Sequence, residues 1–250
     1  MIDRWIKTLS LVASLLLLVG SIFIAEQKHM KQPCKRINIH ISKSDQSFIN
    51  EKDILTYLAD QYIFREKNLN LQLIKSKNIE DIIKLHDFIQ LCTVYKTWKG
   101  DLNILILPKQ VIARVICPFE PDHYIDETGA ILPLSTNYTP RVILVDSEKL
   151  CKLKSSIRDL PYGKKILKTL KIIDKDPFWK AQITHMHIDH GNEVILSTQF
   201  NRHKVYLGKP DNIKNKMKKL KLFYKNILPC KGWSSYKRIN LKFDNQIVCE

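Results

Sequence analysis

The stretch HYIDETGAILP, residues His123–Pro133, indicates how the second half of this 250-residue chain folds. Two short apolar segments flank the polar turn Glu127–Gly129, and a glycine in such a turn is typical of a β-hairpin. Arg141–Val145 (RVILV) follows, and its compact apolar composition predicts a buried strand. The hairpin and the strand together favour a β-rich domain.

Further strands and two amphipathic helices extend this domain towards the C-terminus. Gln182–Asp189 and Glu193–Phe200 predict a second hairpin, and His203–Leu207 predicts another short strand. One helix is predicted after Pro161 and another over Asn212–Ile227. Their apolar stripes consist of Ile166, Leu167, Leu170 and Ile173 in the first and of Ile213, Met217, Leu220, Tyr224 and Ile227 in the second. We interpret the lysine-rich opposite face of the second helix as a solvated surface.

The first half of the chain predicts a smaller α+β unit. Arg36–Ser42 (RINIHIS) alternates isoleucine with polar residues, which is typical of a half-buried strand. Asn50 and Asn78 are each placed to cap a helix. Cys92–Trp98 and Leu102–Leu107 flank a Lys-Gly-Asp turn and predict a hairpin. The predicted order is therefore strand, helix, helix, strand, strand.

An uncharged apolar segment, Leu9–Ala25, precedes this unit. Its length is near the lower limit for a membrane-spanning helix. A cleavable signal peptide is the alternative, but cleavage after Ala25 would place the bulky Phe23 at position −3, where a small residue is preferred. We therefore favour a retained anchor. Basic residues lie on both sides of the segment, so the charges alone do not fix its orientation.

Composition excludes several classes of function. The chain has seven glycines and no glycine-rich phosphate loop, which argues against nucleotide chemistry. None of the six cysteines forms a CxxC pair, which argues against zinc knuckles and thioredoxin-like sites; disulfides and buried thiols both remain open. The formal net charge of +16 raises nucleic-acid binding as a hypothesis, but no known binding module accompanies it, and we expect no nucleic-acid partner.

These segments, taken in order, resemble the FtsQ/DivIB family of bacterial cell-division proteins. The matching stretches are Leu107–Val115 (LPKQVIARV), Tyr124–Pro133 (YIDETGAILP), Pro140–Val145 (PRVILV) and Tyr236–Val248 (YKRINLKFDNQIV). The last resembles the family's terminal "DLRY" hairpin, with asparagine in place of aspartate and phenylalanine in place of tyrosine. The strand–helix–helix–strand–strand unit resembles a POTRA domain.

The resemblance implies a domain layout, a location and a function. It implies a cytoplasmic tail over residues 1–8, a transmembrane helix over 9–25, a POTRA-like βααββ domain over 34–115 and an FtsQ-type β-rich α+β domain over 116–250. The bulk would lie in the periplasm, with the anchor in the inner membrane. We expect a non-enzymatic scaffold at the division septum, without cofactors, whose partners are FtsB/DivIC-like and FtsL-like proteins.

The C-terminal hairpin is the predicted partner-binding site. The last strand, Gln246 to Cys249, has no later segment to cover it, and an uncovered edge strand can accept a strand from another chain. Aromatic residues nearby are candidate anchors. The predicted site comprises Trp233, Tyr236, Leu241, Phe243, Gln246, Ile247 and Val248.

One motif favours a different class of function. Thr184–His190 (THMHIDH) contains HxHxDH, a zinc-binding signature of metallo-β-lactamase-like hydrolases, in which histidine and carboxylate ligands hold zinc. After His190, His203 is the one remaining histidine, so the downstream ligands of that class are missing. Alternation along a strand also explains the spacing, with His185 and His187 on one face. A membrane-anchored zinc hydrolase using residues His185–His190 is therefore the alternative, and we expect no metal site.

Overall fold

The computed structural model describes residues 12–23, 33–42, 45–61, 74–200, 203–243 and 246–250. The chain divides into two compact units, the first ending at Pro108 and the second at Glu250, and the segment Asp45–Phe48 belongs to the second. Both units combine helices with a β-sheet, which confirms the predicted α+β class.

The N-terminal helix α1 covers residues 12–23. Among the described residues, no helix is both long and apolar enough to cross a membrane. Residues 9–11 and 24–25 of the predicted anchor lie outside the described residues, as does the predicted cytoplasmic tail over 1–8. The anchor over 9–25 therefore stays a prediction.

The first unit has the predicted order of elements. These are β1 (Arg36–Ile41), α2 (Glu51–Asp60), α3 (Ser76–Lys84), β2 (Ile89–Lys96) and β3 (Asp101–Pro108). The three strands form a sheet in the order β1-β3-β2, with β1 parallel and β2 antiparallel to β3. Ile54 and Leu58 of α2 and Ile79 and Ile83 of α3 are buried and supply apolar side chains to its core.

The starts of the two helices depend on different local contacts. Asn50 caps α2 as predicted, because its side chain accepts a hydrogen bond from the Asp53 amide and the Asp53 carboxylate accepts one from the Asn50 amide. Helix α3 starts at Ser76 after the N-cap residue Lys75, three residues before the predicted N-cap, and Asn78 lies in its first turn, where its amide donates to the Lys75 carbonyl. The prediction that Asn78 caps this helix was wrong.

The second unit is built on a nine-stranded sheet. Its strands are β4 (Val111–Ile116), β5 (His123–Asp126), β6 (Ile131–Leu132), β7 (Ile143–Asp146), β8 (Ile183–Ile188), β9 (Val194–Thr198), β10 (Lys204–Gly208), β11 (Arg238–Asn240) and β12 (Val248–Cys249). The order across the sheet is β12-β11-β10-β9-β8-β7-β4-β5-β6. Both predicted hairpins, β5–β6 and β8–β9, are present as antiparallel pairs.

Helices of the second unit supply the other half of its apolar core. They are α4 (Glu148–Cys151), a 3-10 turn (Ile157–Asp159), α5 (Gly163–Lys175), α6 (Pro177–Gln182), α7 (Ile213–Leu222), a π-helical turn (Phe223–Ile227) and α8 (Leu228–Lys231). The predicted stripe Ile166, Leu167, Leu170 and Ile173 is buried in one cluster with alternate strand residues such as Val145 and Met186. One face of the sheet thus packs on helices.

The π-helical turn changes the predicted apolar face of α7. It accommodates one extra residue per turn, which rotates the following side chains relative to an α-helix. Ile227, predicted on the buried stripe, is therefore 44% exposed, whereas Tyr224 is buried.

Lys216 also departs from the prediction of a solvated lysine, because it is buried and its ammonium donates to the Leu207 carbonyl at 2.6 Å.

A disulfide joins Cys117, after β4, to Cys151 at the end of α4, with 5.5 Å between the Cα atoms. The sequence left the state of the cysteines open. Closing a loop of 34 residues removes entropy from the unfolded chain and stabilises the fold by about 3–4 kcal/mol. Cys34, Cys92, Cys230 and Cys249 are free thiols.

Candidate functional site

Strand β12 is the terminal strand of the nine-stranded sheet in the described part of the chain. It pairs antiparallel with β11, where Asn240 lies opposite Val248 and Ile239 opposite Cys249. Glu250 extends the pairing, since its amide donates to the Arg238 carbonyl and its carbonyl accepts from the Arg238 amide, both at 3.0 Å. No strand of the described residues pairs with the opposite side of β12, which is therefore an open strand edge in this part of the chain.

The register decides which backbone groups of β12 point to this edge. Residues opposite one another in antiparallel strands alternate between hydrogen-bonded and non-hydrogen-bonded pairs. Arg238 and Glu250 are a hydrogen-bonded pair, so Asn240 and Val248 form the next one. The amides and carbonyls of Ile247 and Cys249 therefore point away from β11. They are the groups that an added strand would meet.

The seven predicted site residues differ in exposure. Phe243 is 49%, Trp233 39% and Val248 38% exposed, and Gln246 is also exposed. Tyr236 and Ile247 are partly buried against the core cluster. Leu241 is fully buried within that cluster, so its side chain contributes to packing and does not offer a contact surface. Exposed aromatic and aliphatic groups thus lie at both ends of β11 and along β12.

A buried histidine fixes the loop that leads into β11. His203 is fully buried, and its Nδ1 is hydrogen-bonded to the Tyr224 hydroxyl at 2.8 Å while its Nε2 donates to the Trp233 carbonyl at 3.1 Å. The Trp233 ring packs edge-on against Phe200, with 5.2 Å between ring centroids. Sequence reasoning missed His203, because a single histidine at a strand start does not indicate which groups it contacts.

A close approach between β10 and the segment after β11 depends on a glycine. Gly208 has a φ of +67°, and a Cβ atom there would lie 2.9 Å from Cγ of Lys242. Lys242 reaches over Gly208 to form an ion pair with Glu193, and Lys219 of α7 donates to the Phe243 carbonyl at 2.9 Å. Both contacts hold residues 242–243, just after β11, against the domain. Burial raises the pKa of the Cys249 thiol, so this thiol is less reactive than an exposed one.

The residues of the HxHxDH string have ordinary structural partners. His187 Nδ1 lies 2.9 Å from Oδ2 of Asp146, its neighbour on β7. Asp189 accepts a hydrogen bond from the Glu193 amide at 2.7 Å and so closes the β8–β9 turn. Burial lowers the pKa of His185, although the nearby Asp146 carboxylate opposes this.

This string does not assemble a metal site in the structure. Across the described residues, no group of three or more histidine, cysteine or acidic side chains is arranged to hold a metal ion. A β-bulge between Ile183 and His185 interrupts the strict alternation of this strand and leaves Thr184 exposed, whereas Met186 is buried. Strand pairing and turn formation account for the string.

Comparison with known proteins gives two matches that together cover most of the chain. A family model described as FtsQ/DivIB, C-terminal related, matches residues 110–250, which is more than half of the chain. A model of the POTRA-like domain matches residues 32–107. No curated protein matches the chain.

Proposed function

Because the chain belongs to the FtsQ/DivIB family of cell-division proteins, with a POTRA-like domain before the family's C-terminal region, we propose that it is a membrane-anchored scaffold of the division machinery. In this role it links early and late septum-assembly proteins by protein–protein contacts. The family is one of non-enzymatic division scaffolds, and we propose the same role for this chain.

The observation that carries this proposal is the open edge of β12. Its outward backbone groups offer donors and acceptors in the spacing of a strand, and Phe243, Trp233 and Val248 offer exposed apolar area beside it. Main-chain pairing gives affinity to such an interface, while side chains at its ends give specificity. We assign this edge to the FtsB/DivIC-like partner, with the FtsL-like protein joining the same assembly.

The Cys117–Cys151 disulfide supports an extracytoplasmic position for the second unit. Structural disulfides persist in oxidising compartments and are rare in the reducing cytosol. We therefore place the N-terminus in the cytoplasm, the anchor over residues 9–25 in the inner membrane and the two units outside it.

Localisation in dividing cells tests the proposed role. A fluorescent protein fused to the N-terminus of the full chain should concentrate at mid-cell, and depletion of the protein should give filaments that fail to septate. A uniform membrane signal together with normal division of depleted cells would contradict the division role. The variant Lys154→Gln, at an exposed position remote in sequence from β11 and β12, provides a control that should localise normally.

A further inference from the structure

Helices α5 and α7 carry the same unusual lysine spacing. In each helix four lysines recur at intervals of four, three and four residues, which places them on one side of an α-helix. The fourth position of the second series falls in the π-helical turn after α7, so the α-helical spacing places only the first three lysines of that series on one side. The two series, together called the lysine face, are Lys164, Lys168, Lys171 and Lys175 and then Lys214, Lys218, Lys221 and Lys225, all exposed or partly exposed.

Ion pairs at both ends align the two helices. Lys165 at the start of α5 pairs with Asp211 just before α7, and Lys221 near the end of α7 pairs at 2.6 Å with Asp176 just after α5. The N-terminal ends of α5 and α7 are therefore close to each other, and so are their C-terminal ends. The two helices run alongside each other in the same direction. The two lysine series lie on the sides of these helices that do not enter the core. The second unit thus carries two exposed lysine series on two helices that run in the same direction.

Little negative charge balances this surface. Asp174 is the one acidic residue within α5, it pairs with Lys180 at 2.8 Å, and α7 contains none. Among the described residues, Lys221 is the member of the lysine face that forms an ion pair. Like charges at i and i+4 destabilise a helix, so the repeated spacing acts against the stability of α5 and α7. An anionic partner would relieve this repulsion.

Exposed apolar side chains next to the lysine face distinguish between anionic partners. Leu222 is 50% and Ile227 is 44% exposed; Leu222 directly follows Lys221 in sequence, and Ile227 lies two residues after Lys225. A soluble polyanion would gain no binding energy from these exposed apolar side chains. A bilayer interface accepts them below its headgroups while lysines contact the phosphates above. The combination is that of a membrane-surface helix.

We propose that the lysine face docks the second unit onto the surface of an anionic phospholipid bilayer, with Leu222 and Ile227 entering the interface. Lysine ammonium groups contact lipid phosphates, and each lysine near an anionic surface strengthens binding roughly fivefold. This function goes beyond the scaffold role and does not depend on the β12 edge. A unit tethered by an N-terminal anchor would thereby be held flat against its membrane.

Fluorescence quenching in reconstituted vesicles tests this docking. The full chain, with a fluorescent amino acid at the exposed position of Asn215, is inserted into vesicles that contain a nitroxide-labelled headgroup lipid. Quenching should be strong with phosphatidylglycerol present, weak in phosphatidylcholine alone, and weakened by salt. Equal quenching in the two kinds of vesicle would overturn the proposal.

A matched pair of variants separates position from total charge. The lysine-face variant carries Lys164→Gln, Lys168→Gln, Lys214→Gln and Lys218→Gln, and the control carries Lys52→Gln, Lys77→Gln, Lys154→Gln and Lys237→Gln, all at exposed positions. The first should lower the ratio of docked to free protein by at least about 100-fold, and the second should change it only slightly. Equal losses in both variants would overturn the proposal. Tight binding of soluble polyphosphate, combined with quenching that does not depend on lipid charge, would also overturn the proposal and would assign the lysine face to a soluble polyanion.

Discussion

Arg238 and Glu250 exchange both of their backbone hydrogen bonds, each at 3.0 Å, and this pair sets the register of the C-terminal strand. Through the alternation of an antiparallel ladder, it directs the Val248 amide towards β11 and the Ile247 and Cys249 amides towards the open edge. Neighbouring residues of one short strand therefore differ in function. Val248 holds the strand to the domain, whereas Ile247 is available to a partner.

Loss of the buried His203 should destabilise the fold. His203→Ala removes two hydrogen bonds and leaves the Tyr224 hydroxyl and the Trp233 carbonyl without their partner, at a cost of about 3 kcal/mol. Tyr224→Phe removes only one of these bonds and should cost about 1–2 kcal/mol. Chemical denaturation of the full chain measures both. An His203→Ala variant as stable as the native protein would show that this contact does not fix the loop before β11.

The disulfide should contribute to stability only under oxidising conditions. Cys117→Ser with Cys151→Ser should lower the free energy of unfolding by about 3–4 kcal/mol, because the unfolded chain regains the entropy of an open loop. Reduction of the native protein should give a similar loss. Cys230→Ser, which replaces an exposed free thiol, should leave both values unchanged. If reduction has no effect, the two sulfurs are not bonded in the protein.

Stability should decrease as the pH falls below neutrality, and His123 should contribute to the decrease. Burial lowers the pKa of His123, although the Pro121 carbonyl and Asp122 oppose this shift. As the pH falls through the ordinary histidine value of about 6.5, the unfolded chain binds a proton that the folded chain does not, so unfolding becomes more favourable. Unfolding measured between about pH 7.5 and 5.5 should show a smaller slope in His123→Phe than in the native protein.

The sequence predicted those parts of the fold that depend on local patterns. Apolar alternation identified β1 and the β8–β9 hairpin, and the polar turn Glu127–Gly129 identified β5–β6. The π-helical turn was not predictable, because the spacing of apolar residues does not indicate that a turn contains an extra residue. This turn exposes Ile227, which was predicted to be buried. Helix α6 was also missed, although Asp176 accepts from the Phe178 amide and Pro177 follows it, which is an N-terminal signature.

The candidate site was predictable in its position but not in its detail. Residues 246–249 were predicted to lie at a sheet edge, and β12 is the terminal strand of the nine-stranded sheet in the described part of the chain. The burial of Leu241 and the contacts of His203 and Lys216 depend on groups far away in sequence, which no local pattern records. Similarly, the HxHxDH string gave the residue types of a zinc site but not their arrangement in space.

Binding of the FtsB/DivIC-like partner by two proline variants tests the central proposal most directly. Proline at position 247 removes a backbone amide that points to the open edge. Proline at position 248 instead removes a backbone amide that donates a hydrogen bond to β11. Ile247→Pro in the full chain should therefore abolish pull-down of the partner while circular dichroism and unfolding midpoint stay native, and Val248→Pro should also lower the midpoint. A folded Ile247→Pro variant that binds the partner as tightly as the native protein would contradict strand addition at β12 and place the interface elsewhere.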